Sequence, residues 1–161
     1  MTLKGGPVRD FEFGDLQAVP REVLAAQMAD ARVAEHLPLL DGAFDVDGFL
    51  QAKAQRWEED GLGHWAIWQG DVFLGWGGFE KEEDVWDFGL VLTPQAFGQG
   101  LAITRQALDF ARGDARVEMV QFLLAPTRRS VKALARMGAE EVGEVRYGGQ
   151  TFRRFLLDMR D

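Results

Sequence analysis

The stretch Leu90-Val91-Leu92-Thr93-Pro94-Gln95-Ala96-Phe97-Gly98-Gln99-Gly100-Leu101-Ala102 is the part of the chain best suited to holding an anion. An apolar run stops at Thr93-Pro94, and two glycines follow. The spacing of Ile103, Ala107, Phe110 and Ala111 then marks one stripe of a helix. Glycine lets the chain turn sharply and lets a ligand approach the backbone. The first N–H groups of a helix have no internal partners and lie at the positive end of its dipole. Together these suit a phosphate or pyrophosphate. Gly-x-Gly alone equally fits an ordinary strand-to-helix turn. A dinucleotide fingerprint needs a small residue where Ile103 stands and an acid about 20 residues on, where Gln121, Phe122 and Leu123 offer none. A P-loop needs Gly-Lys-Ser/Thr, and no such triplet occurs.

Other chemistries are narrowed by composition. The chain of 161 residues has no cysteine, which removes thiol nucleophiles, disulfides and cysteine-based metal sites. Its two histidines, His36 and His64, are too far apart in sequence to suggest a metal site, and each reads as structural. The formal net charge of −8 argues against duplex nucleic acid and suits a cationic partner such as an amine, although acidity also simply confers solubility. No signal-peptide core and no run of about 18 apolar residues is present, so the expectation is a cytoplasmic protein with no membrane partner.

The elements that must position these residues follow from periodicity. A first strand is expected over Val8–Phe13. A helix opens near Pro20 and runs through Val23, Leu24, Ala26 and Met28. Leu50, Ala54 and Trp57 mark a second helix capped by Asp45 or Asp47. Residues 64–78 read as a hairpin about Gln69-Gly70-Asp71, and Trp86–Leu92 reads as a third strand. Met119–Leu124 is a short buried strand. A helix carrying Val131, Leu134 and Ala135 follows, with Thr127 as its cap and Gly138 as its stop. Glu140–Val145 and Thr151–Met159 close the chain around Tyr147-Gly148-Gly149. The order predicts a mixed sheet with helices packed on it, an α/β (α+β) layered single domain over residues 1–161.

Three segments share one resemblance. Gln95-x-x-Gly98-x-Gly100 resembles the acyl-CoA pyrophosphate loop of the GNAT acetyltransferase superfamily. Asp87-Phe88-Gly89-Leu90-Val91-Leu92 resembles that family's Glu-Ile-Gly-Tyr-x-Leu strand. Thr127-Arg128-Arg129-Ser130, with Met137-Gly138-Ala139 after it, resembles its Asn-x-x-Ser helix ending in Gly-Phe. The match covers about residues 64–159, and the nearest branch resembles ribosomal-protein N-terminal alanine acetyltransferases.

The resemblance implies a mostly antiparallel sheet, helices on both faces, and a strand at 86–92 that splays from the strand at 119–124. Acetyl-CoA, the co-substrate, would lie in the gap, with no metal required. Backbone groups of Leu90 and Leu92 would pair with the pantetheine amides as an added strand does, with Val91 between them also in the coenzyme site. Gln95 and the N–H groups of Phe97, Gly98, Gln99, Gly100, Leu101 and Ala102 would surround the pyrophosphate, and Thr127 and Ser130 the far end of the pantetheine. Arg128, Arg129 and Lys132 would approach the adenosine phosphates or simply form a solvated helix face. The reaction implied is direct attack of an amine on the thioester. A strand N–H near Leu90 or Val91 would stabilise the developing oxyanion. Asp87, where relatives often carry Glu, is the candidate general base, acting through water because an ordinary Asp has a pKa of about 3.9; the alternative is a role in ordering the strand end or binding a cation. Glu80, Glu82 and Glu83 look like a solvated run on the preceding turn. Trp76, Phe79 and Trp86 are candidates for an acceptor pocket or for core. Where relatives have a Tyr acid this chain has Leu134, and Ser130 is the substitute donor. A non-catalytic acyl-CoA-binding regulatory module on the same fold is the competing reading, and monomer and homodimer both stay open.

Overall fold

The computed structural model describes residues 11–35, 37, 44–126 and 131–160. Seven strands form one sheet in the order β1-β2-β3-β4-β5-β7-β6. They are β1 (Glu12–Gly14), β2 (His64–Gln69), β3 (Val72–Glu82), β4 (Val85–Leu92), β5 (Met119–Leu124), β6 (Glu140–Tyr147) and β7 (Gln150–Asp158). Every neighbouring pair is antiparallel except β4 and β5, which run parallel. The expected mostly antiparallel mixed sheet, with helices on both faces, is what the chain forms. Val8–Asp10 and the Thr127 cap lie outside the described residues, and the strand expected there occupies Glu12–Gly14.

The turns set the register. Gln69 pairs with Val72 across Gly70-Asp71, and Gly70 takes the left-handed φ of 61° that such a tight turn needs. Glu82 pairs with Val85 across Glu83-Asp84, with Glu83 at φ 55°. That second turn brings Glu80 opposite Asp87 and Phe79 opposite Phe88. The register shifts between Ile67 and Trp68, where Leu74 is the extra residue of β3, so that Phe73 and Trp76, three apart, pack on the same core.

Strand alternation gives the sheet two faces with different cores. On one face α4 (Gly100–Arg112) lays down Ile103, Ala107, Leu108 and Ala111. They cover Phe79, Trp86, Val120, Phe122, Phe155 and Leu157, and α5 (Val131–Arg136) adds Leu134. On the other face lie α1 (Arg21–Ala29), α2 (Ala31–Ala34) and α3 (Val46–Asp60). They bury Leu24, Met28, Val33 and Leu50 against Ala66 and Trp76. Asp45 is the cap of α3, its carboxylate accepting from the Gly48 N–H at 3.1 Å. No described helix is long and apolar enough to cross a membrane.

Candidate active site

The cleft begins where two strands part. β4 and β5 are paired only through Trp86 with Val120 and Asp87 with Gln121. Beyond those pairs β4 continues for five residues to Leu92, still held on its other edge by β3 down to Gly75. Successive residues of a strand present their backbone groups to alternate edges. Thr93 donates its N–H to the Leu74 carbonyl at 2.8 Å, which fixes the phase. Leu90 and Leu92 therefore turn their backbone groups toward the gap. Val91 turns its own toward β3, and its carbonyl also accepts from Gln27 Nε2 of α1 at 3.1 Å. Val91, also expected in the coenzyme site, turns its main chain away from the gap.

At the wide end of the gap the chain passes through a 3-10 turn, Pro94–Gln99, into α4. Neither Thr93 nor Gln99 caps these turns with a side-chain hydrogen bond. The first amides of α4 are thus not satisfied by a capping side chain. Gly98 and Gly100 are not required by the backbone. Gly100 has φ −56°, and Gly98 is not among the positive-φ residues. A Cβ on Gly98 would meet nothing within 4 Å, and one on Gly100 only the Leu92 and Leu90 side chains at 3.6 and 4.0 Å. By contrast, a Cβ on Gly75 or Gly77 would run into the carbonyls of Val91 and Gly89 on β4. The β3 glycines let two strands approach; those at 98 and 100 leave room on a surface flanked by the exposed Phe97 and Leu101. This loop suits a diphosphate.

Asp87 sits at the vertex of the opening. Its Oδ1 accepts from Gln121 Nε2 at 3.0 Å, and Gln121 Oε1 accepts from Arg154 Nε at 2.6 Å. Burial pushes the Asp87 carboxyl up to about 6. The Gln121 hydrogen bond opposes that rise, Glu82 and Glu80 add to it, and Lys53 works against it. Asp87 is thus a stronger base than an ordinary Asp and titrates near neutral pH. Glu80 and Glu82 lie at the end of β3; Glu82 and the turn residue Glu83 are exposed, as expected of a solvated run, and Glu80 is not. Glu80 is paired with Lys53 Nζ at 3.0 Å, and Glu82 with Arg56 at 3.4 Å. Of Asp87, Glu80 and Glu82, Asp87 alone forms no ion pair among the described residues.

The same face collects polar atoms that lack partners. His64 is buried opposite Gly78, with Nε2 3.7 Å from Glu80 Oε1. Burial, then the charges of Lys53 and Arg56, hold its pKa well below the ordinary histidine value, so the ring is neutral. Both its nitrogens, together with Gln27 Oε1 and Trp76 Nε1, are the buried side-chain atoms without a hydrogen-bond partner among the described residues. Such atoms are costly to bury in folding, and sites that bind polar ligands are where they recur.

Of the two readings of Trp76, Phe79 and Trp86, acceptor pocket or core, the structure shows core. Phe79 and Trp86 are fully packed in the α4-side core, on the opposite face from Asp87, and the Trp86 Nε1–H is spent on the Arg116 carbonyl at 3.1 Å. Trp76 is on the Asp87 face but buried beneath α3, with Lys53 Nζ 5.2 Å from its ring centroid. Thr127, Arg128, Arg129, Ser130 and His36 lie outside the described residues. Lys132 is an exposed residue of α5. Sequence reasoning missed Gln27, Gln121 and Arg154. Gln121 carried a signal, as the one polar residue inside the run Met119–Leu124.

The comparisons with known proteins agree with this architecture. The family model described as "Acetyltransferase (GNAT) domain" matches residues 9–140, and the chain belongs to the GNAT acetyltransferase family. It is similar in fold to the spermidine N-acetyltransferase of Vibrio cholerae solved with CoA and spermine, at TM-score 0.73 and 10% identity over 92% of this chain and 95% of that one. A GNAT-family acetyltransferase of Bacillus anthracis gives TM-score 0.72 and 15% identity over 100% of both chains. An acetyltransferase of Agrobacterium tumefaciens gives 0.70 and 18% identity over 98% of this chain and 94% of that one. No curated protein matches the chain in sequence.

Proposed function

We propose that the chain is a single-domain N-acetyltransferase that moves the acetyl group of acetyl-CoA to a primary amine by direct attack in a ternary complex. The observation that carries this reading is the position of Asp87: a half-buried carboxylate, its pKa pushed up to about 6, at the last paired position before β4 and β5 diverge. The family membership and the uncapped Gly98–Gly100 turn support the coenzyme side of the reading.

In this mechanism the amides from Phe97 to Ala102 hold the pyrophosphate, and the backbone of Leu90 and Leu92 pairs with the pantetheine as an added strand. The Leu90 N–H, which faces the gap, stabilises charge developing on the thioester oxygen. The acceptor enters over the face of Asp87, Glu80 and Gln121. An alkyl ammonium with pKa ~10.4 must lose a proton before attack, and Asp87 takes it directly or through one water. A leaving thiolate of pKa ~8.5 departs with little assistance, and Ser130 supplies what proton donation is needed. Holding the two reactants together contributes much of the rate.

The acceptor is a cation, in keeping with the acidic chain. A protein N-terminus, which the resemblance to the ribosomal-protein branch implies, and a polyamine, the ligand named for the Vibrio cholerae enzyme, are the two acceptor classes to compare. The test is release of free CoA thiol from acetyl-CoA with polyamines and with peptides beginning Ala or Ser. Turnover on one class and not the other is expected. Tight CoA binding with no turnover on any amine would overturn the reading in favour of a non-catalytic, regulatory CoA-binding module. One observation favours that second reading: Leu134, in place of the family's Tyr acid, is buried in the core.

A further inference from the structure

Asp87 is held by a neutral amide whose orientation another residue dictates. A guanidinium can only donate hydrogen bonds, so the Gln121 oxygen must face Arg154 and its NH2 group must face Asp87. With Arg154 removed, the amide is free to rotate and accept from the O–H of a protonated Asp87, which would favour the acid form. We propose that Gln121 and Arg154 are positioning residues for Asp87: Arg154 locks the Gln121 amide, and the amide holds Oδ1 of Asp87 so that Oδ2 stays available for the proton of the incoming amine. The proposal rests on Asp87 being the base.

The chain crosses three strands. Arg154 stands on β7, Gln121 on β5 and Asp87 on β4, and Gln121 pairs directly with Asp87 in the sheet. Gln121 is buried, so its donor meets little competition from water. The other charged groups facing the site are Glu80 and Glu82 of β3 and Lys53 and Arg56 of α3, with the neutral His64 of β2 beyond Glu80. Glu80 and Glu82 are each tied to a cation of α3, which leaves the Gln121 amide as the direct donor to Asp87. A donor to a carboxylate favours its charged form, so the amide keeps Asp87 ionised in an environment that otherwise favours the acid.

The test is the acidic limb of kcat/KM against pH, measured with saturating acetyl-CoA in Gln121→Met, Arg154→Met and Asp87→Asn, with CoA affinity by calorimetry. In Gln121→Met the limb moves upward by about one pH unit, a tenfold loss on the acid side that recovers at alkaline pH. Arg154→Met moves it in the same direction by less. CoA affinity stays within about twofold in both. An inactive Asp87→Asn beside an unmoved limb in Gln121→Met and Arg154→Met would overturn the positioning role alone. Full turnover in Asp87→Asn would overturn the base assignment and the positioning role with it. If Gln121→Met does not fold, the Arg154→Met limb decides.

Discussion

The two faces of the central strands are built to opposite rules. Toward α4, Phe79, Trp86 and Phe122 are buried in an apolar core, and the Trp86 indole N–H has its partner. Toward α1 and α3, the adjacent residues of the same strands are Glu80, Asp87 and Gln121, joined by Lys53, His64 and Arg154. All four buried, unpartnered side-chain atoms among the described residues lie on that second side. One strand therefore presents an apolar core on one face and the proposed catalytic carboxylate on the other, through alternation alone. A packed apolar face is energetically favourable in itself; a face carrying a raised carboxyl and unpaired polar atoms is costly, which is the pattern expected if that face carries the proposed activity.

Substitutions on either side sharpen the contrast. The largest effect is expected from Asp87→Asn, which removes the base and should lower kcat by ~10²–10⁴-fold with CoA affinity unchanged by calorimetry. Equal losses of turnover and CoA affinity would instead give Asp87 a structural role. Next is Phe79→Ala, which empties a fully buried ring site between Trp65 and Phe88. It should cost ~3–5 kcal/mol in urea unfolding while the folded fraction keeps its kcat. Gly98→Glu follows: a side chain fits there without strain, so circular dichroism should be unchanged while CoA affinity falls about a hundredfold or more, as the negative charge meets the diphosphate. Unaltered affinity would remove the loop from the coenzyme site.

The smallest effect has the opposite sign. Asp87 has its folded pKa raised from 3.8 to about 6, so the native state binds more protons than the unfolded chain between those values. Stability consequently falls as pH rises through that window, and the ionised carboxylate is a burden above it. Asp87→Asn lacks this burden. It should be more stable than wild type by roughly 1–3 kcal/mol at pH 8 and equal to it near pH 3. Urea midpoints at the two pH values check this, and a destabilised variant at pH 8 would place Asp87 on the structural side of the comparison.

Much of this division was legible before any coordinates. The run Met119–Leu124 is β5 to the residue, and the helical stripe from Ile103 to Ala111 is the buried side of α4. The glycine turn was legible from its residues as a possible phosphate site, and the resemblance added the coenzyme and the splay. The choice between pocket and core for Trp86 was left open where alternation could have decided it: Trp86 and Asp87 are neighbours in one strand and cannot face the same cleft. Likewise, Glu83-Asp84 as a two-residue turn would have put Glu80 opposite Asp87 and taken it off the solvated surface. The raised Asp87 pKa, the Lys53 ion pair and the Gln27 bond to Val91 were not legible. Each depends on which helix settles over which strand, and no local pattern encodes that.

The join between β4 and β5 consists of two residue pairs, so the sheet is a pair of half-sheets stitched at one end of their shared edge. A coenzyme threaded through the opening would supply the main-chain bonds that a continuous sheet makes between its own strands, and so act as a splint. At a hundred times its dissociation constant such a splint adds ~2.7 kcal/mol to the folded state. The supply of acetyl-CoA would then set how long each molecule lasts as well as how fast it works.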